Sequence, residues 1–440
     1  VPDHEPPEAS SWEQAVPPDI AATGDHANWY FHHVRRRIPH YAGQGSHSVP
    51  GNVSFFTSAD PALTTTLWLR VGSQKSTSIS FAVTGPNDLV HEEKPRWRAV
   101  LASALQEFRS DPPQERPWAA ILVPKAAQHA RWYGRFRAWP DRLSEPVRIG
   151  PITLTSVPTW VSQPHPHPDD MSVALGVGYW PLLVTGTAPG YYRAGALQAA
   201  ARDLLHLQWL LTVVTARSWQ RGRQPHLMEP DDEAEDFLAH WLEGMSGWSI
   251  GEHLPAPDPT ALELPGWLLG AWSKSLASRR YPHALSAYGR AFEHFTEEST
   301  SDAGARFAAV IEALSGTRTP TDAEKTAARH LLSAAAPGTL AEAEAMGAAK
   351  EILMYSIRSE TVHTGRLHGP ESLGGQSLGM VSADGDPSRI HHMMTGNLQH
   401  LCRNILVEEL GGPVHDPEPI LRELNDIRSG VIVLGPPIPR

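Results

Sequence analysis

The apolar residues of this chain change their spacing once, near Tyr192, and that switch limits the fold more than any single motif does. Before it, short runs rich in β-branched and aromatic residues lie between Pro, Gly, Asp and Asn. They are NVSFF at 52–56, LTTTLWLRV at 63–71 and STSISFAVTG at 76–85. PWAAILVP at 117–124 reads as a buried strand and VRIGPITLTSV at 147–157 as another, with a helix over Trp97 to Phe108 between the two groups. After Tyr192 the period becomes helical. Ala194 to Trp219 reads as one long helix with Leu197, Ala201, Leu204, Leu205, Gln208 and Leu211 near one face.

The fold class that follows is α+β, a mixed β-rich N-terminal domain ahead of a mostly helical region. Residues 1–25 read as a loose, acidic, Pro-rich leader and 26–185 as the β-rich domain, a candidate sensor or regulatory part. Residues 186–265 read as a helical connector. Within it an acidic cluster, Glu229 to Asp236, suits a helix N-terminus, and PAPDPTALELPG at 255–266 is the best linker. Helices are expected over 266–280, 282–298, 302–315, 321–335, 339–363 and 387–410, and the Pro-rich tail 413–440 as an extended strap. No fixed-period repeat is visible.

Composition narrows the function. Apolar residues make up 41% and charged residues 19%, which suits chains with real cores. A net charge of −11 argues against a protein that coats nucleic acid through bulk charge, so any such site must be local. The single cysteine, Cys402, excludes an internal disulfide framework and a Cys-rich zinc fold, and it suits a reducing cytoplasm. The most apolar stretch, Leu204 to Val214, is broken by His206 and Gln208 and falls short of the ~20 residues of a membrane span. The N-terminus lacks the basic and apolar regions of a secretory signal.

Several motif matches lack their physical context. Gly375-Gln-Ser377-Leu-Gly379 fits G-x-S-x-G, but HGPESLGG precedes it where a nucleophile elbow needs a strand. His165, His167, Asp169 and Asp170 are interleaved with prolines whose extended backbone does not converge two imidazoles on one ion. His26 to Arg37 sets Trp29, Tyr30 and Phe31 beside Arg35, Arg36 and Arg37. Such a mix can bind single strands, but one short amphipathic segment with an exposed Arg run explains it more simply.

The strongest constellation is Arg358-Ser359-Glu360-Thr361-Val362-His363. It ends a helix whose apolar positions include Met346, Ala349, Leu353 and Ile357, and Gly365 can close that helix. At ~100° per residue, Tyr355, Ser359 and Val362 share one side, and Arg358 and His363 flank them ~140° apart. A second copy related by a two-fold axis would bring two Arg and two His around one groove. Arg keeps its proton and forks onto phosphate oxygens, and His titrates near neutrality. The RNA 2′-hydroxyl can supply the nucleophile, so this chemistry needs no metal, no cofactor and no protein nucleophile.

This stretch resembles the HEPN superfamily, in which an R-x4-6-H motif closes a helix of a small helical bundle, and it looks most like the Apea-like branch. Two elements carry the resemblance in the right order: Arg306-Phe307-Ala-Ala-Val310-Ile311-Glu312-Ala-Leu314, and Tyr355-Ser-Ile-Arg358-Ser359-Glu-Thr-Val362-His363. It covers roughly 281–412 and implies a HEPN-like helical bundle there. It implies Arg358 and His363 as the catalytic pair, with Ser359, Glu312 and Tyr355 supporting and Arg366 and His368 candidates for substrate binding. It further implies a homodimer and a metal-independent endoribonuclease acting on a tRNA or a single-stranded RNA in a toxin or phage-defence setting, with an antitoxin or trigger protein as a further partner. Thr364 stands where the family usually has Gly directly after the His. Residues 281–412 hold ten basic and sixteen acidic residues, a balance of −6, so basic side chains must gather locally to hold RNA. The alternative expectation is a non-catalytic dimerisation or ligand-binding scaffold, in which a helix-terminal His serves the dipole.

Overall fold

The computed structural model describes residues 8–15, 17, 20, 23–37, 47–49, 53–59, 64–71, 77–85, 87–124, 143–156, 182–229, 263–296, 299–316, 319–353 and 387–429. It is an α+β protein of two compact units. One is Val1–Arg116 with Ala188–Ala199, and the other is Pro117–Thr187 with Ala200–Arg440.

In the first unit, strands β1 (Glu8–Ala15), β2 (His47–Val49), β3 (Val53–Ala59), β4 (Thr64–Val71) and β5 (Thr77–Gly85) form an antiparallel sheet in the order β1-β5-β4-β3-β2. β3, β4 and β5 coincide with the three β-branched runs. β1 corrects the reading of residues 1–25 as a loose leader, because Glu8 to Ala15 pair with Gly85 to Ser78. An edge strand is held by its main-chain ladder, which an acidic, Pro-rich composition does not reveal.

Helix α1 (Gly24–Arg35) begins at Thr23, whose Oγ1 accepts from the His26 amide at 3.2 Å. It packs on α2 (Asn87–Ser110), which also lies against β5 and β1. Their shared core takes Ala27, Tyr30, Phe31 and Val34 from α1 and Trp97, Leu101, Ala104 and Phe108 from α2, the spacing of one helical face. Tyr30 Oη donates to the Leu101 carbonyl at 3.3 Å, and burial pushes its hydroxyl up to about 12.

The second unit holds, apart from residues 114–116 and 188–190, the strands β6 (Gln114–Pro124), β7 (Val147–Ile149), β8 (Ile152–Ser156), β9 (Leu182–Gly190) and β10 (Trp219–Leu227), which form a sheet in the order β10-β6-β9-β8-β7. The stretch 147–157 is two strands rather than one. Gly150, at φ +57, turns the chain between β7 and β8, and a side chain there would run into the Trp272 indole. The helix after Tyr192 is α3 (Arg193–Thr215). It stops short of Trp219, which opens β10, so the connector 186–265 is not wholly helical. β10 escapes a reading by pattern because Gly222 and Pro225 interrupt it. It is an edge strand whose register on β6 shifts between Arg221 and Arg223 and again before His226.

Seven further helices are described in this unit: α4 (Leu268–Ala277), α5 (Arg280–Thr296), α6 (Thr300–Ser315), α7 (Pro320–Ala334), α8 (Glu342–Leu353), α9 (Pro387–Glu409) and α10 (Glu418–Ser429). α4 to α9 fall on the six helical stretches expected beyond residue 266, with α8 described as far as Leu353. α10 corrects the reading of 413–440 as an extended strap. Asp416 Oδ1 accepts from the Glu418 amide at 2.9 Å, and Ile420 and Leu424, four apart, give the helix one buried side. Prolines flank this helix, and they dominated the composition of the tail.

Candidate functional site

α6 is the centre of the bundle. It packs on α5, α7 and α9 and buries Ala303, Phe307, Ala308, Val310, Ile311 and Leu314 along its length. Tyr288 of α5 lies against Phe307 with ring centroids 5.5 Å apart, and Gln399 of α9 donates from Nε2 to Tyr288 Oη at 2.7 Å. Cys402 Sγ donates to the Phe307 carbonyl at 3.1 Å, and full burial holds the thiol well above its usual range. That cysteine is therefore a small core residue, not a nucleophile. Arg403 of α9 sends Nε to the Val213 carbonyl (2.8 Å) and a terminal nitrogen to that of Val214 (3.0 Å), closing the C-terminal end of α3.

Of the residues that the sequence singles out for catalysis, Glu312 lies within the described structure. It is half-buried on α6, one turn from the C-terminal end, and its carbonyl accepts from Ser315 Oγ at 2.8 Å. Tyr355, Arg358, Ser359, His363, Arg366 and His368 lie outside the described residues, as do the G-x-S-x-G match and the His165–Asp170 cluster. The frame leading to them is described. α8 packs on α7, α9 and α10, buries Ala345, Ala348, Ala349, Ile352 and Leu353, and is described as far as Leu353, two residues before Tyr355 in the chain.

Other polar clusters among the described residues are candidates that sequence reasoning passed over. His206 Nε2 meets Ser275 Oγ at 2.6 Å, which has the form of a serine–histidine pair. Yet Ser275 donates onward to the Trp272 carbonyl at 2.7 Å, so it accepts from the imidazole, and both side chains are buried. Burial lowers the His206 pKa to about 4. The pair is neutral, sealed from any substrate, and joins α3 to α4.

His330 of α7 is buried and places Nδ1 against Glu408 of α9. Its pKa is lowered, chiefly by burial; Glu408 opposes that shift, and the nearby His415 adds to it. Beside it, Arg280 donates to Glu409 at 3.0 Å and to Tyr281 Oη at 2.7 Å, and Tyr281 Oη donates to the same Glu409 oxygen at 3.0 Å. This knot fastens the start of α5 to the end of α9. No sequence signal joins His330 to Glu408, which are 78 residues apart.

The basic–aromatic segment is the amphipathic helix α1. Trp29 stacks on His32 (4.9 Å) and on Tyr191 (5.6 Å), and its Nε1 donates to Asp111 at 3.2 Å. Arg37 pairs with Glu107, which also takes His33 Nδ1 at 3.0 Å, and these partners hold the Glu107 carboxyl below its usual range. Asp25 accepts from the backbone amides of Tyr191 (2.8 Å) and Tyr192 (3.3 Å) at the entry to α3. The aromatic rings of this segment are largely engaged in packing.

No group of three or more His, Cys, Asp or Glu that could hold a metal ion occurs among the described residues. No described helix is long and apolar enough to cross a membrane. Compared with family models, with curated proteins and with solved structures, the chain finds no match.

Proposed function

We propose that this protein is a metal-independent RNA endonuclease of the HEPN type, with Arg358 and His363 as its catalytic pair. The observation that carries the reading is the order of two patterned elements. The Arg306-to-Leu314 element lies on α6 at the centre of a helical bundle, and α8 leads directly into the Tyr355-to-His363 element. In this reading the imidazole of His363 takes the proton of an RNA 2′-hydroxyl, and the oxygen attacks the adjacent phosphorus. The 5′-oxygen leaves with a proton from a protonated imidazole. The products are a 2′,3′-cyclic phosphate and a 5′-hydroxyl. Arg358 holds the non-bridging phosphate oxygens while their charge develops.

Ser359, Glu312 and Tyr355 support the pair, and Arg366 and His368 add to substrate binding. The active form is a homodimer in the cytoplasm, acting on a tRNA or a single-stranded RNA as a toxin or phage-defence effector under the control of a trigger or antitoxin protein. The balance of −6 over residues 281–412 gives the non-catalytic scaffold its best support, because phosphate contacts dominate nucleic-acid affinity.

The test is incubation of the full chain with total tRNA and with a structured single-stranded RNA in excess chelator. Wild type should cut and leave cyclic phosphate ends. Arg358→Ala and His363→Ala should each lose about 10²–10⁴-fold in rate with an unchanged melting temperature. RNA left intact by the wild type and by both variants, with altered dimerisation in the variants, would favour the scaffold.

A further inference from the structure

We propose that α10 is a detachable strap that governs how firmly the C-terminal half of α8 is held, with Arg428 as the positioning residue. Its consequence for catalysis rests on the nuclease reading above, because α8 precedes the Tyr355-to-His363 element in the chain. The mechanical claim stands without it.

Four observations carry the inference. α10 buries two side chains, Ile420 and Leu424, where α6 buries nine residues, so little apolar area holds it down. Among the described elements its main neighbours are α9 and α8. It follows a break in the helical path: Gly411, at φ +94, ends α9, and the chain then runs through Pro413, exposed Val414 and Pro417 before the new helix starts. Finally, Arg428, in the last turn of α10, donates from Nε (2.9 Å) and from a terminal nitrogen (2.7 Å) to Glu351 Oε2.

Glu351 is in the last described turn of α8, two residues before Leu353 and seven before Arg358 in the chain. The ion pair therefore grips α8 at the end that feeds the proposed site. It is also partly open to solvent, with Arg428 41% and Glu351 29% exposed, so it is a weak, salt-sensitive grip. α10 adds its own opposition to docking. Partial burial and the neighbouring Asp426 both raise the Glu423 pKa, so the carboxylate is held where its charge is disfavoured. An element with few buried groups and one exposed ion pair opens at low cost, and opening removes the grip on α8 without disturbing α6.

Hydrogen exchange on the full chain tests the strap. Amides of 418–429 should exchange at least ~100-fold faster than those of 300–315. Arg428→Glu should speed exchange at 418–429 and at 348–353 by about fivefold and leave 300–315 unchanged. The charge swap Glu351→Arg with Arg428→Glu should restore the wild-type pattern. Exchange of α10 in step with α6, or indifference of 348–353 to Arg428→Glu, would overturn the proposal.

RNA cleavage is the second readout. Arg428→Glu should lower kcat about fivefold with KM unchanged, and Arg428→Lys should recover most of it. A wild type that cuts RNA and a variant that cuts it equally well would sink the catalytic consequence. A wild type that cuts nothing would sink the nuclease reading instead, and the exchange pattern would still decide the strap.

Discussion

The α1–α2 pair of the first unit and the α5–α6–α9 packing of the second solve the same problem differently. α1 and α2 share one apolar seam and then dress its rim with polar links: Trp29 to Asp111, and Arg37 to Glu107. Around α6 the polar groups sit inside. Gln399 meets Tyr288, Cys402 meets the Phe307 carbonyl, and neither bond is open to water. Rim links exchange with solvent and contribute little each, whereas a sealed polar group must keep its partner or leave a costly orphan. The first arrangement tolerates change at its edges, and the second fixes one geometry.

That contrast can be broken most easily at its centre. Phe307→Ala should cost about 3–5 kcal/mol, because the ring is fully buried between α5 and α9, and equilibrium urea unfolding would measure it. A loss below ~1 kcal/mol would mean that the bundle is loosely packed.

Acid should act next. His206 titrates near 6.5 when unfolded and near 4 when folded, so below pH 6.5 the unfolded chain takes up the proton first. Its contribution is complete above pH 6.5 and is lost progressively as pH falls to 4, by roughly 3 kcal/mol in all. Unfolding curves across that range should show the slope, and His206→Gln should flatten it. A slope unchanged in the variant would place the acid sensitivity elsewhere.

The rim should respond least. Thr23→Ala removes the cap of α1 and should cost about 1 kcal/mol by thermal unfolding. A larger loss there than at Phe307 would reverse the comparison.

The helical region was legible because its apolar residues repeat with the helix period over long windows. Phe307, Ile311 and Leu314 announce α6, and Leu204, Gln208 and Leu211 announce α3, although Leu197, read on the same face, is exposed. β3, β4 and β5 were legible through their β-branched runs. β1, β10 and α10 were not, because what defines them is pairing or docking rather than pattern. β1 carries polar residues onto an edge, β10 contains Gly222 and Pro225, and α10 is a short helix between prolines. The proposed catalytic residues rest on a local motif of the sequence, nine residues from Tyr355 to His363, which lies outside the described residues. The His206–Ser275 and His330–Glu408 pairs were not, since their partners meet only after the chain has folded back on itself.

The link between Asp25 and the amides of Tyr191 and Tyr192 bears on the order in which the protein is made. The first unit is not contiguous: its last piece, 188–199, follows a stretch, 117–187, that belongs to the other unit. During synthesis Asp25 therefore waits for its partners until the ribosome has added 166 more residues, on the order of ten to thirty seconds at ordinary elongation rates. Gly195 keeps the landing site clear, since a side chain there would strike the Asp25 carboxylate. A chain cut after Arg116 would carry α1 and α2 yet leave Asp25 without the backbone it holds. No single cleavage point divides this protein into its two units, and a nascent chain must emerge well past the first unit's main body before that unit can close.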